Sequence, residues 1–122
     1  MVITSYKDLE VYRDSYQLFL QVHKMAQKYP DYERYEINAQ IRRAAMSIPM
    51  NIAEGYGKKS SELDFKRFLT MSLGSCNEVQ VLLDMSKDLG YITQTEYTEK
   101  TQKYDVLVRR LNTLIQKWKS NF

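Results

Sequence analysis

Residues 41–60 read IRRAAMSIPMNIAEGYGKKS, and the spacing of apolar side chains in that stretch decides the fold. At about 100° per residue, Ile41, Ala45, Ile48 and Ile52 fall within roughly 40° of one direction, as an amphipathic α-helix requires. Ala39, Met46, Met50 and Ala53 fall on a second face, roughly opposite, and the polar arc of Gln40, Ser47, Asn51 and Glu54 is narrow. A helix apolar on two faces cannot bury both inside one layer of helices, so the second face calls for a covering surface. Pro49 lies within this helix. It lacks an amide hydrogen and crowds the carbonyl of Ala45, costing about 3 kcal/mol in an ordinary helix interior. The apolar spacing stays in phase from Ile41 to Ile52, which favours a continuous kinked helix over a break at Ser47. Ser47 or Asn51 would then serve the freed carbonyl.

Working outward, three more helical segments show the same periodicity. The first covers about residues 6–28, with Leu9, Tyr12, Tyr16 and Phe19 on one stripe and Val11, Leu18, Val22 and Met25 beside it. The second is the stretch above, about 39–54, with Asn38 as a candidate N-cap and Gly55 or Gly57 as a candidate stop. The third, about 62–89, aligns Phe65, Phe68, Leu69, Ser72, Cys76, Val79 and Leu83. The fourth, about 94–119, aligns Tyr97, Tyr104, Val108, Leu111, Ile115 and Trp118. Ser5 with Asp8, Ser61 with Asp64 and Thr93 with Glu96 supply helix-start signals. Short connections between long amphipathic helices predict an all-α, up-down-up-down antiparallel four-helix bundle, a single domain over residues 1–122.

The chain has 122 residues, 43% hydrophobic and 27% charged, with four glycines and two prolines, which suits one soluble helical domain. Its formal charge of +3 is mildly basic, but the charges are segregated. Arg42, Arg43, Lys58, Lys59, Lys66 and Arg67 crowd the middle of the chain, and Glu78, Asp84, Asp88, Glu96 and Glu99 follow. Lys100, Lys103, Arg109, Arg110, Lys117 and Lys119 close it. The lone cysteine, Cys76, has no partner for an internal disulfide, which suits a reducing compartment. No basic start followed by an apolar core opens the chain, and no apolar run approaches the ~20 residues that span a bilayer. A cytoplasmic location is the expectation.

Enzymatic readings find little support. His23 is the only histidine and lies on the stripe with Phe19, so a Ser-His-Asp or Cys-His arrangement would rest on it alone. A di-metal bundle needs two Glu-x-x-His motifs, and Leu20 stands three residues before His23. Cys76 falls among core positions, and EGYGKKS lacks the spacing of a phosphate-binding loop. The expectation is a chain without catalytic residues, metal or cofactor.

QIRRAAMSIPMNIAEGYGKKS (40–60) followed by RFLTMSLGSCNEVQVLLDMSKDLGYI (67–92) resembles the 23S rRNA intervening-sequence four-helix bundle proteins. That family's pattern is Gln-x-Arg-Arg-Ala-Ala, then Ser-Ile-Pro-x-Asn-Ile-Ala-Glu-Gly, and later Gly-Ser-x-x-Glu. It is met here by Gln40, Arg42 to Ala45, then Ser47 to Gly55 around Met50, and by Gly74, Ser75 and Glu78. The resemblance implies that Pro49, Asn51, Glu54, Gly55 and Gly74 are structural motif positions. It also implies a bacterial protein related to the accessory proteins of diversity-generating retroelements, which form basic barrel-like pentamers that bind RNA and a reverse transcriptase.

Two kinds of surface follow. Met71, Leu82, Met85 and Leu89 lie off the core stripe of the third helix. Together with Ala39, Met46, Met50 and Ala53 they predict an oligomer interface between copies of the chain, a pentamer if the resemblance holds. Arg42, Arg43, Lys58, Lys59, Lys66, Arg67, Arg109 and Arg110 are candidates for binding RNA phosphates by charge, counterion release and guanidinium hydrogen bonds. Structured RNA or a nucleic-acid-processing protein is the expected partner, and the membrane is not. The competing expectation is a structural or protein-interaction oligomer, with Arg42 and Arg43 paired to Glu54 or Glu78 between subunits. Most of the ten tyrosines are read as core.

Overall fold

A computed structural model describes residues 2–119, and within them the chain forms four α-helices, two 3-10 turns and no strand. The α-helices are α1 (Glu10–Ala26), α2 (Ile37–Tyr56), α3 (Glu62–Asp88) and α4 (Gln94–Lys117). Each packs antiparallel to its sequence neighbours, with α2 against α3 the most extensive pairing and α4 closing loosely onto α1. The architecture is the expected four-helix bundle.

The first helix starts later than its periodicity suggests. Ser5 caps a 3-10 turn at Tyr6–Asp8 in a capping box, and the Asp8 carboxylate accepts from the amides of Thr4 and Ser5. Those amide bonds hold the Asp8 carboxyl below its usual range. Leu9 is then extended, which turns its side chain into the core before α1 begins. The helix buries Val11, Leu18, Val22 and Met25, whereas Tyr12 and Phe19 are half-buried and Tyr16 is exposed. Of two neighbouring stripes, the aliphatic one won the core.

Helix α2 begins at Ile37, and Glu36 gives it no side-chain cap. Asn38 therefore is not an N-cap. Its amide instead donates to Ala26 O at the end of α1 (2.9 Å), and its Oδ1 accepts from Arg42 Nε (2.7 Å). The helix runs unbroken through Pro49. Ser47 Oγ donates to Ala44 O (2.8 Å), Asn51 Nδ2 to Ser47 O (2.9 Å) and Ser72 Oγ, from α3, to Ile48 O (3.0 Å). Side chains thus serve three carbonyls in the turn before the proline, those of Ala44, Ser47 and Ile48, rather than Ala45 O. Gly55 does not stop the helix but lies buried inside it, where an added Cβ would meet Phe68 Cβ at 2.6 Å. Its absent side chain lets α2 and α3 touch.

Helix α3 starts at Ser61, whose Oγ accepts from Asp64 N, and α4 starts at a full capping box of Thr93 and Glu96. Ile41, Ala45, Ile48, Ile52, Phe65, Leu69, Cys76, Val79, Leu83, Tyr104 and Leu111 form the core, as their spacing predicts. Leu82, expected outside, is buried between α3 and the start of α2. Past α4, Trp118 lays its ring edge-on to Phe65 (4.7 Å between centroids) and Tyr56 (6.5 Å), closing the end of the bundle.

Candidate nucleic-acid interface and assembly faces

Antiparallel packing gathers an excess of cations at one end of the bundle. The turn between α2 and α3 and the end of α4 share one end of the bundle, bringing Lys58, Lys59, Lys66 and Arg67 together with Lys117 and Lys119. The opposite end carries Asp31, Glu33, Glu36, Asp84, Asp88, Glu96 and Glu99 interleaved with Lys24, Lys28, Arg34, Lys87, Lys100 and Lys103, and Lys28 pairs there with Glu96 (2.7 Å). Lys58 lies over the Phe68 ring (5.2 Å) and Lys59 over the Tyr56 ring (4.5 Å), contacts that hold a cation without neutralising it. Arg67 also lies over Phe68 (5.3 Å) and reaches Asp64 at 3.6 Å, while Lys66 reaches Glu62 only at 3.9 Å. Among the described residues, Arg43, Lys58, Lys59 and Arg109 form no ion pair.

The eight expected cations do not form one patch. Arg109 and Arg110 face a cleft of about 550 Å³ between α1 and α4, lined also by Val11, Arg13, Leu114 and Lys117. Arg110 is clamped there by Asp14 (2.6 Å) and Glu10 (3.4 Å), which hold its guanidinium above its ordinary pKa. Arg42 and Arg43 lie in the first half of α2, toward the acidic end. Arg42 is half-buried and bonded to Asn38, whereas Arg43 is exposed. Arg110 is thus ion-paired and Arg42 anchored within the chain, and of the four unpaired cations Lys58 and Lys59 lie at the α2–α3 turn, Arg43 on α2 and Arg109 on α4.

The apolar second face is present at the surface. Met46 and Met50 are 41% and 60% exposed, and Met71 and Met85 are 48% and 49% exposed. Ala53 is half-buried, and Ala39 is buried inside the chain, so it drops out of the exposed face. What sequence reasoning missed is the aromatic half of this face. Tyr6, Tyr12, Tyr16, Phe19 and His23 stack in a ladder along α1, with successive centroids 4.8, 6.0, 6.0 and 4.6 Å apart. The first four border a groove with Met46, Pro49, Met50 and Ala53. The i, i+3, i+4 recurrence of Tyr12, Tyr16, Phe19 and His23 was the available signal, but a tyrosine stripe suits core and rim equally well.

The potential reagents are packed away. Burial pushes the Cys76 thiol up to about 12, so it stays protonated, and burial followed by the Arg42 charge holds His23 below the usual imidazole range. No cluster of three or more metal-ligating side chains occurs among the described residues, and none of their helices is long and apolar enough to cross a membrane.

These features define an antiparallel four-helix bundle whose distinctive residues lie on outward faces and at one basic end. The family model of the 23S rRNA-intervening sequence protein matches residues 7–113, and the chain belongs to that family. A crystal structure of a protein of unknown function from the S23 ribosomal protein family of Bacteroides thetaiotaomicron is similar at TM-score 0.80 and 22% identity. The likeness covers 88% of this chain and 96% of that one, and at that identity it speaks for the fold. A search of curated proteins finds no match.

Proposed function

We propose that this chain is a non-enzymatic adaptor that assembles with copies of itself and holds structured RNA through its basic end. The observation that carries the RNA reading is the end of the bundle where Lys58 and Lys59 sit beside Arg67, Lys117 and Lys119, the two lysines free of ion pairs among the described residues. Cations left without carboxylates are those that can exchange small counterions for phosphates. The family's name ties its members to insertions in large-subunit ribosomal RNA, which supports RNA over other polyanions. Self-association is supported by methionines and tyrosines left at the surface of α1, α2 and α3, since broad apolar faces seldom stay in water. A pentamer is the state the family resemblance implies, and repetition of the basic end around such a particle would add weak contacts through multivalency.

Binding of a fluorescent RNA hairpin across a salt series tests the first half. Affinity falling linearly with log salt, and weakened by Lys58→Glu with Lys59→Glu, supports the adaptor. An oligomer that binds no RNA at low salt leaves the protein-interaction reading in its place. Light scattering on Met46→Glu/Met50→Glu tests the second half: a reduced mass supports the assembly face, and an unchanged mass removes it.

A further inference from the structure

Two surface features have no explanation within the chain. The first is a ridge along the outside of α3, formed by Met71, Gly74, Glu78, Val81, Met85 and Leu89, all exposed. Their spacing of three and four residues is that of a helix-packing seam. In mid-ridge, a Cβ added to Gly74 would meet nothing within 4 Å. Glycine weakens a helix interior, and no neighbour inside the chain requires it here. The second feature is the groove of about 160 Å³ between α1 and α2, walled by Tyr12, Tyr16 and Phe19 on one side and Met46, Pro49 and Met50 on the other.

The two features lie at matching heights. The Ser47 and Ser75 hydroxyls hydrogen-bond to each other (2.6 Å), which sets α2 and α3 level at those residues. Toward the acidic end, Arg43 stands about 6 Å above Ser47 and Glu78 about 4.5 Å above Ser75, at 1.5 Å per residue. Toward the basic end, Met50 stands about 4.5 Å below and Met71 about 6 Å below. Met46 and Gly74 lie near the reference level. Neither Arg43 nor Glu78 forms an ion pair among the described residues.

We propose that the groove of one copy receives the α3 ridge of a second copy, an inference that rests on the self-association proposed above. Seated without axial shift, Met71 comes level with Met50, Gly74 lets Met46 and Phe19 approach closely, and Glu78 comes level with Arg43. The contact is heterologous, because ridge and groove are different faces. Such contacts continue from copy to copy, as rings where the rotation closes. Seated at this level the contact carries no axial rise, as a closed ring requires. It also directs every basic end to the same rim, where one RNA could meet several copies.

Complementation between two variants tests this pairing. Gly74→Trp blocks the ridge at a position open to solvent, and Tyr16→Glu spoils the groove on a different helix. Circular dichroism confirms that each is folded, and light scattering reads the masses. Each variant alone should fall below the wild-type mass. An equimolar mixture should give a species of two chains, one of each variant, because only one ridge and one groove remain intact. A wild-type oligomer whose mass survives either substitution, or variants that fall apart and never form the mixed pair, would overturn the pairing. A monomeric wild type would instead remove the self-association on which it rests.

Discussion

The two internal glycines of the helices should respond oppositely to the same substitution. At Gly55 an alanine Cβ would sit 2.6 Å from Phe68 Cβ and 3.1 Å from Phe65 Cδ1. Phe68 Cβ is anchored to the α3 backbone and cannot swing aside, so the helices must part. Overpacking of that kind costs about 1–3 kcal/mol, against a helix-propensity gain of at most about 1 kcal/mol for replacing glycine. The net expectation for Gly55→Ala is a loss of about 1–2 kcal/mol. At Gly74 the same methyl meets nothing, and only the propensity gain of about 0.5–1 kcal/mol remains. Urea unfolding measures both, preferably in a Tyr16→Glu background where dissociation does not mask subunit stability. A Gly55→Ala chain as stable as its parent would refute the reasoning, because it would mean that the α2–α3 contact is not held at this spacing.

Tyr104 is fully buried, and its hydroxyl has no hydrogen-bond partner among the described residues. Tyr104→Phe removes an uncompensated polar atom, so it should leave stability unchanged or raise it by about 1 kcal/mol in the same unfolding assay. His23 sets a pH dependence. Its folded pKa lies below the ordinary value of 6.5, so the unfolded chain takes up the proton more readily. Its contribution is complete above about pH 6.5 and is lost as pH falls from there through the folded pKa. Thermal midpoints should therefore fall as pH drops below about 6.5, and fall less in His23→Phe.

Most of the bundle was legible in the chain because helix periodicity is strong where apolar residues are branched and polar ones are few. Ile41, Ala45, Ile48 and Ile52, and Phe65, Leu69, Cys76 and Leu83, occupy the core positions their spacing assigned. Helix α1 was less legible, since it carries two adjacent stripes and spacing alone does not say which one faces inward. The tyrosine stripe went to the surface, where a hydroxyl can stay wet. Asn38 and Gly55 were read by residue type as a cap and a stop, yet each serves a partner distant in sequence: Ala26 O in one case, Phe68 in the other. The same holds for charge. Arg110 looks free in the sequence, but its clamps, Glu10 and Asp14, arrive from the opposite end of the chain. Lys58, beside a tight turn, kept the exposure its local sequence implied, while Lys59 is half-buried against the Tyr56 ring.

Paired charge reversals at the two ends of the bundle decide whether RNA is held at the basic one. The salt dependence of RNA affinity is measured for the wild type, for Lys58→Glu/Lys59→Glu at the basic end and for Lys24→Glu/Lys28→Glu at the acidic end. Both pairs change net charge equally, so a general electrostatic effect would treat them alike. RNA held at the basic end gives a marked loss of affinity and a slope shallower by about 2 for the first pair, at roughly one per lost phosphate contact, and a near-wild-type slope for the second. Equal slopes for the two pairs, or no binding by the wild type at low salt, would contradict it.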